Sequence, residues 1–312
     1  MSAPSYRGRF APSPTGPLHI GSLIAAMASY LDARAHQGQW LVRMEDLDPP
    51  REVPGAAADI LRSLEAFGFE WDGPVWFQGR RGEIYQAQID RLLEAGFAFH
   101  CGCSRREILE AARPGIEGPV YPGTCRDGLA AGKAPRAVRL RVADQDVSFE
   151  DRLQGRISQN LARELGDFVI RRADGLFAYQ LAVVIDDAEQ GITDVVRGSD
   201  LLASTPRQCW LQAQLGLPRP RYMHIPVAVN TAGEKLSKQT HAPALDASQP
   251  LPALWRAAAF LELEPPRDLL AASVREFWDW ARAHWRTEAL AGQQKKPGPG
   301  PVDRIGGHQG LI

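Results

Sequence analysis

Arg9-Phe10-Ala11-Pro12-Ser13-Pro14-Thr15-Gly16-Pro17-Leu18-His19-Ile20-Gly21-Ser22 runs from a short strand-like triplet through a Pro-rich turn. It leads into Ser22 to Arg34, a stretch of good helix formers without proline or glycine, and Gly38 is placed to stop it. The order is strand, loop, helix. Gly21 lets a nucleotide approach the backbone, and the helix N-terminus behind it presents N–H groups to phosphate. His19 adds a donor for developing negative charge.

Working outward, Trp40 to Met44 reads as a second strand ending in Glu45-Asp46-Leu47-Asp48, and apolar positions at helical spacing follow over Ala56 to Phe67. This alternation predicts an α/β fold, a parallel sheet with helices on its faces and ligands beyond the strand carboxyl ends. From Phe97 to Leu165 cysteines, Pro-Gly turns and short mixed runs replace it, as in an insertion. Phe168 to Arg172 and Phe177 to Asp187 then read as two strands joined at Asp174-Gly175. Leu254 to Leu290 is helical in composition and holds Trp255, Trp278, Trp280 and Trp285, suited to packing helices onto the main body. The expected divisions are 1–96 and 167–250 for the two halves of the core, 97–166 for the insertion, 251–290 for a C-terminal helical region, and 291–312 for a disordered tail.

The 36 basic and 37 acidic residues leave a net charge of -1, so bulk charge offers no footprint for nucleic acid and any RNA contact must be local. The N-terminus lacks an apolar run of signal-peptide length, and no apolar stretch approaches the roughly 20 residues that span a bilayer. Cytoplasmic residence is the expectation, with a monomer as the default. Cys101, Cys103 and Cys125 cluster while Cys209 stands alone, which suits a metal site better than a secreted disulfide framework. By spacing alone His100 is a natural fourth ligand for tetrahedral zinc. Cys209 reads as core.

A second motif, Glu234-Lys235-Leu236-Ser237-Lys238-Gln239, follows the apolar run Ile225 to Val229. Two lysines bracketing a serine on a loop can reach over phosphates and stabilise charge as pyrophosphate departs. With His19-Ile20-Gly21-Ser22 it resembles the paired signatures of class I aminoacyl-tRNA synthetases. Ser22 stands in place of the second signature histidine, and Gln239 in place of the terminal serine. Arg9 to Gly16, Leu41 to Asp48 and Val195 to Asp200 resemble glutamyl-tRNA synthetases, and the resemblance covers about residues 7 to 245. The short length and Lys235 to Leu245 most resemble the truncated glutamyl-Q tRNA(Asp) synthetase branch of that family.

The resemblance implies a Rossmann-type catalytic domain with a zinc-containing insertion and no anticodon-binding domain. It implies ATP-dependent activation of L-glutamate without tRNA, then transfer to the queuosine base in the anticodon of tRNA(Asp). Arg9, Phe10, Ala11, Pro12, Ser13 and Glu45 would form one wall of the glutamate site, with Tyr179 and Arg197 arriving from the second half. Arginines suit the two carboxylates and Glu45 the ammonium group, while the assignment of arginine to carboxylate stays open. ATP would meet His19, Gly21, Ser22, Lys235, Ser237 and Lys238, with Mg2+ beside its phosphates and His19 and Lys238 as the catalytic stabilisers. Zn2+, one structural ion per chain, would take Cys101, Cys103, Tyr121 and Cys125, so the resemblance points to Tyr121 where spacing points to His100. The rival readings are an ordinary glutamyl-tRNA synthetase charging a tRNA 3′ end, a nucleotidyltransferase that never meets RNA, and a non-catalytic RNA-binding module. His36, His224, His241, His284, Asp186-Asp187, Arg80-Arg81 and Arg171-Arg172 read as packing or solvated residues without a site role.

Overall fold

The computed structural model describes residues 5–115, 118–236 and 243–300. β1 (Arg7–Phe10) and β2 (Gln39–Met44) pair in parallel, with Phe10 opposite Val42, and α1 (Ile20–Ala35) connects them. At the end of α1, Gln37 takes the left-handed position at φ +52°, and the N–H of Gly38 donates to Ala33 O at 2.8 Å. Gly38 is there for space, because a Cβ would lie 2.4 Å from Tyr6 O. The helix therefore stops where glycine indicated, by close approach of β1 and not by a left-handed glycine.

α2 (Ala56–Ala66) buries Ala56, Ile60 and Leu64 along one stripe, after which β3 (Trp76–Phe77) extends the parallel sheet beside β2 and leads to α3 (Gly82–Glu94). β4 (Ala98–Cys101), α4 (Arg105–Ala111), β5 (Arg113–Gly115), β6 (Gly118–Val120) and β7 (Ala137–Leu140) leave that pattern. β8 (Asp146–Asp151) and β9 (Gly155–Asn160) form an antiparallel hairpin, followed by the single turn α5 (Leu161–Glu164) and β10 (Phe168–Arg171). β10 joins β7 and β4 in an antiparallel sheet, so that sheet draws strands from both sides of residue 167.

The strand expected over Phe177 to Asp187 is instead a helix, α6 (Tyr179–Glu189). Leu181, Ala182, Val183, Val184 and Ile185 are all buried, so the helix is apolar around its circumference and its sequence shows no periodicity separating helix from strand. β11 (Asp194–Gly198), α7 (Thr205–Leu215) and β12 (Arg221–Ile225) resume the alternation, and β11 and β12 are parallel from Asp194 opposite Arg221 to Gly198 opposite Ile225. Just before β11, Thr193 N donates to Arg7 O at 2.9 Å, which sets β11 beside β1. β8 reaches the far side of β12, with Asp151 opposite Tyr222.

β13 (Val227–Val229) precedes α8 (Pro250–Phe260), α9 (Val274–Ala283) and β14 (Lys295–Pro297). Both helices pack on α1. Trp278 donates from Nε1 to Phe67 O at 2.9 Å and meets Tyr30 and Phe69 edge-on, with ring centroids 4.9 and 4.8 Å away. Trp285 reaches Asp32 Oδ1 at 3.1 Å. The expectation of a disordered tail fails for residues 291–300, because β14 pairs in parallel with β13 and Gly298 N donates to Val229 O at 2.7 Å. Strand addition supplies through the backbone what the tail lacks in apolar side chains. Residues 301–312 lie outside the described residues. Among the described residues no helix is long and apolar enough to cross a membrane.

Candidate active site and metal cluster

The loop after β1, the start of α1, the end of β2, the start of α6 and the ends of β11 and β13 converge on a cleft of about 930 Å³. Arg9, Phe10, Ala11, Pro12, Ser13, Glu45, Tyr179 and Arg197 line it, as do His19, Gly21, Ser22 and Lys235. The structure thus gathers into one cleft residues drawn from most of the chain length. Ser237 and Lys238 lie outside the described residues.

Arg9 and Arg197 are held in different ways. Arg9 donates from Nε and Nη2 to the two oxygens of Asp187 at 3.2 and 3.3 Å, and Arg43 Nη2 meets Asp187 Oδ1 at 2.8 Å. Burial alone would raise the Asp187 pKa, but the two guanidinium groups outweigh it and hold the carboxyl below its ordinary range. Glu45 lies 3.4 Å from Arg43 Nη2, and burial pushes its pKa up against the opposing pull of Arg43 and Arg9. A cationic ligand group beside Glu45 would relieve that penalty.

Arg197 is 5% exposed and, among the described residues, has neutral hydrogen-bond partners: Nε donates to His224 Nε2 at 3.0 Å, Nη2 to Thr205 Oγ1 and Gln208 Oε1 at 2.8 Å each, and Nη1 to Tyr179 OH at 3.4 Å. Behind it, His224 Nδ1 stands 2.6 Å from Asp151 Oδ2. Burial pushes His224 down to about 4 despite Asp151, so the ring is neutral in this setting.

At the start of α1, His19 caps the helix with its ring. Nδ1 accepts from Ser22 N at 3.3 Å and Nε2 lies 3.2 Å from Ser22 Oγ. In the neutral ring this arrangement places the proton on Nε2. Gly21 is closely packed, and a Cβ there would meet His19 Cε1 and Leu236 O at 3.1 Å. Lys235 Nζ donates to Asp200 Oδ2 at 2.5 Å, which ties the first lysine of the second motif to the segment just after β11.

Sequence reasoning gave no role to Asp186-Asp187 or His224. Asp186 is fully buried and accepts from Gln78 Nε2, Tyr85 OH and Arg81 Nε at 2.7 Å each, forming the floor under Arg43. Two adjacent acids closing an uninterrupted apolar run were the available signal. Arg81, read as solvated, is part of this floor. For His224 the sequence carried no signal.

Cys101, Cys103 and Cys125 place their sulfurs within 4.8 Å of one another, an arrangement able to hold a metal ion. Tyr121 OH lies 3.5 Å from Cys101 Sγ and 3.8 Å from Cys103 Sγ, and accepts from Cys125 N at 2.9 Å. His100 is exposed on β4, where successive side chains alternate faces, so it points away from Cys101. Burial and the neighbouring Cys125 push the Cys103 thiol up to about 11, and a cation among the three sulfurs would reverse that. Cys209 is buried alone in α7, as expected of core. The cluster is not part of the cleft lining.

Residues 5–249 match the family described as tRNA synthetases class I (E and Q), catalytic domain. A glutamyl-Q tRNA(Asp) synthetase of Dechloromonas aromatica is 59% identical over 94% of this chain and 98% of its own length. Another, of Chromobacterium violaceum, is 59% identical over 91% of this chain and 95% of its own. The crystal structure of a glutamate-tRNA synthetase from Elizabethkingia anophelis has the same fold, with a TM-score of 0.75 at 24% identity, over 92% of this chain and 67% of that one. The chain belongs to the class I tRNA synthetases of the glutamate and glutamine type, within the glutamyl-Q tRNA(Asp) synthetase family.

Proposed function

We propose that this chain activates L-glutamate with ATP, without tRNA, and transfers the glutamyl group to the queuosine base in the anticodon of tRNA(Asp). The observation that carries this is the 59% identity, over nearly the whole length, to proteins of that name. The cleft is in keeping with it: the buried Arg9 and Arg197 and the carboxylate of Glu45 face a single space, a charge pattern complementary to glutamate.

In the first step an oxygen of the glutamate α-carboxylate attacks the α-phosphorus of ATP, and the bond to pyrophosphate breaks. Arg9, Arg197 and Tyr179 orient the substrate's carboxylates, Glu45 takes its ammonium group, and Phe10 to Ser13 form the wall beside them. His19, from the start of α1, and the lysines of the second motif neutralise charge that develops on the phosphates, with Gly21 and Ser22 bordering the nucleotide. Mg2+ accompanies ATP and shields its phosphate charge. In the second step a hydroxyl of the queuosine cyclopentenediol attacks the activated carbonyl carbon, and AMP leaves. Positioning and electrostatics suffice, with no covalent enzyme intermediate. One Zn2+ held by Cys101, Cys103, Tyr121 and Cys125 would fix the insertion in shape for the RNA, as a structural ion. We assign the enzyme to the cytoplasm, as a monomer.

Glutamate-dependent ATP–pyrophosphate exchange without tRNA, followed by transfer of labelled glutamate to tRNA(Asp) with and without queuosine and to tRNA(Glu), tests the reading. Exchange with transfer only to queuosine-containing tRNA(Asp) is expected. Charging of tRNA(Glu) would make the chain an ordinary synthetase, and no exchange would remove the enzymatic reading altogether.

A further inference from the structure

Arg197 differs in what holds it from Arg9, the other buried arginine lining the cleft, and from Arg43, buried behind Asp187. Arg9 and Arg43 share the carboxylate of Asp187, so much of their charge is spent within the protein. Among the described residues no carboxylate stands within ion-pair distance of Arg197, whose acceptors are an imidazole, a hydroxyl, an amide and a phenol. Neutral acceptors fix a guanidinium's direction and leave its charge available to a ligand.

The imidazole can accept from Arg197 only in one of its tautomers. Asp151 Oδ2, 2.6 Å from His224 Nδ1, keeps the proton on Nδ1 and leaves the Nε2 lone pair facing Arg197 Nε at 3.0 Å. Thr205 Oγ1 approaches the same Nε2 at 3.1 Å. Asp151 is itself fixed, with Oδ1 accepting from Leu153 N at 3.0 Å and Gln154 N at 2.9 Å. The chain of contacts runs from the end of β8, through β12, to the end of β11, and His224 has no exposure of its own.

We infer that His224, oriented by Asp151, is a positioning residue for Arg197: it holds the guanidinium through an unprotonated Nε2 without neutralising it, so that the full charge meets a substrate carboxylate. The inference rests on reading the cleft as a glutamate site. It also gives the β8–β9 hairpin a task, since the hairpin carries Asp151 beneath the cleft while not lining it.

The test uses the full-length chain and steady-state ATP–pyrophosphate exchange, with KM measured separately for glutamate and ATP, beside thermal melts. His224→Leu is expected to raise the glutamate KM by about ten- to a hundred-fold, the worth of a hydrogen bond to a charged group. The ATP KM should stay within about two-fold. His224→Gln, whose amide oxygen can replace Nε2, should recover most of the loss. Asp151→Asn should also raise the glutamate KM, because an amide N–H facing Nδ1 favours the tautomer with the proton on Nε2, as replacing the acid of a catalytic triad does. Nitrogen NMR of labelled histidine should show that switch. If His224→Leu does not fold, Asp151→Asn decides alone. Unchanged glutamate KM in a folded Asp151→Asn variant, equal losses for both substrates, or a His224→Gln variant no better than His224→Leu would overturn the inference. Absence of exchange by the unaltered chain would instead overturn the glutamate reading on which it stands.

Discussion

Asp187 grips Arg9 through both carboxylate oxygens, 3.2 Å from Nε and 3.3 Å from Nη2, in a pair almost wholly shielded from water. The same carboxylate holds Arg43, which is fully buried. Replacing Asp187 by Asn would leave two buried guanidinium groups short of one negative charge. Loss of about 3–5 kcal/mol of folding stability is expected in urea unfolding. A variant with the native midpoint would mean that the floor of the cleft does not depend on this charge.

Glu45 lines the cleft with its carboxylate largely shielded, and Arg43 at 3.4 Å is its ion-pair partner in the protein. Glu45→Gln keeps its size and removes its charge. The kcat/KM for glutamate in pyrophosphate exchange should fall by about ten- to a hundred-fold. Unchanged kinetics would exclude Glu45 as the ammonium partner.

The sulfur cluster separates two fourth ligands, since Tyr121 lies within it and His100 lies on the other face of β4. Elemental analysis of the purified chain should find one zinc per molecule. Tyr121→Phe is expected to release the ion at lower chelator concentration, whereas His100→Ala should retain it. The reverse ranking would restore the spacing argument for His100.

His224 ties stability to pH. Burial lowers its pKa from 6.5 to about 4 in the folded chain, against the hydrogen bond it donates to Asp151, with Arg197 and Arg9 adding to the lowering. Between those values the unfolded chain takes up a proton that the folded chain refuses, so stability is fully present above about pH 6.5 and falls as pH drops toward 4. Asp151, held below its ordinary range, adds a further loss at still lower pH. The urea midpoint should decline through this window by the equivalent of a few kcal/mol, and His224→Gln should flatten the decline. An equal slope in the variant would assign it to other groups.

Gly298, just after β14, packs against Leu236, next to Lys235. A Cβ there would stand 2.4 Å from Leu236 Cδ1 and 3.3 Å from Val229 O. Gly298→Val should displace Leu236, with an overpacking cost of about 1–3 kcal/mol, and raise the ATP KM several-fold while leaving the glutamate KM nearly unchanged. Equal ATP affinity would uncouple the C-terminal strand from the nucleotide loop.

The parts legible in the sequence are those written by neighbours along the chain. The Pro-rich loop between Phe10 and His19, the helix formers that follow, the acids after β2 and the cysteine spacing each express local chemistry over a few residues. From them came the α/β pattern and some of the residues that line the cleft, while Arg172, read as solvated, also lines it. α6 escaped because burial on all sides erases the periodicity that separates helix from strand, and β14 because its order comes from pairing with β13, more than sixty residues earlier.

Sequence alone thus pointed to part of the set of side chains that meet in the cleft, since the motifs that hold them carry their own turns and helix ends. Tertiary structure alone decided how those side chains are charged and held. Asp187 reaches Arg9 across 178 residues, and Asp151 reaches His224 across 73. Electrostatic partnership depends on which strands become neighbours and on how completely water is excluded between them, and neither is written in local spacing.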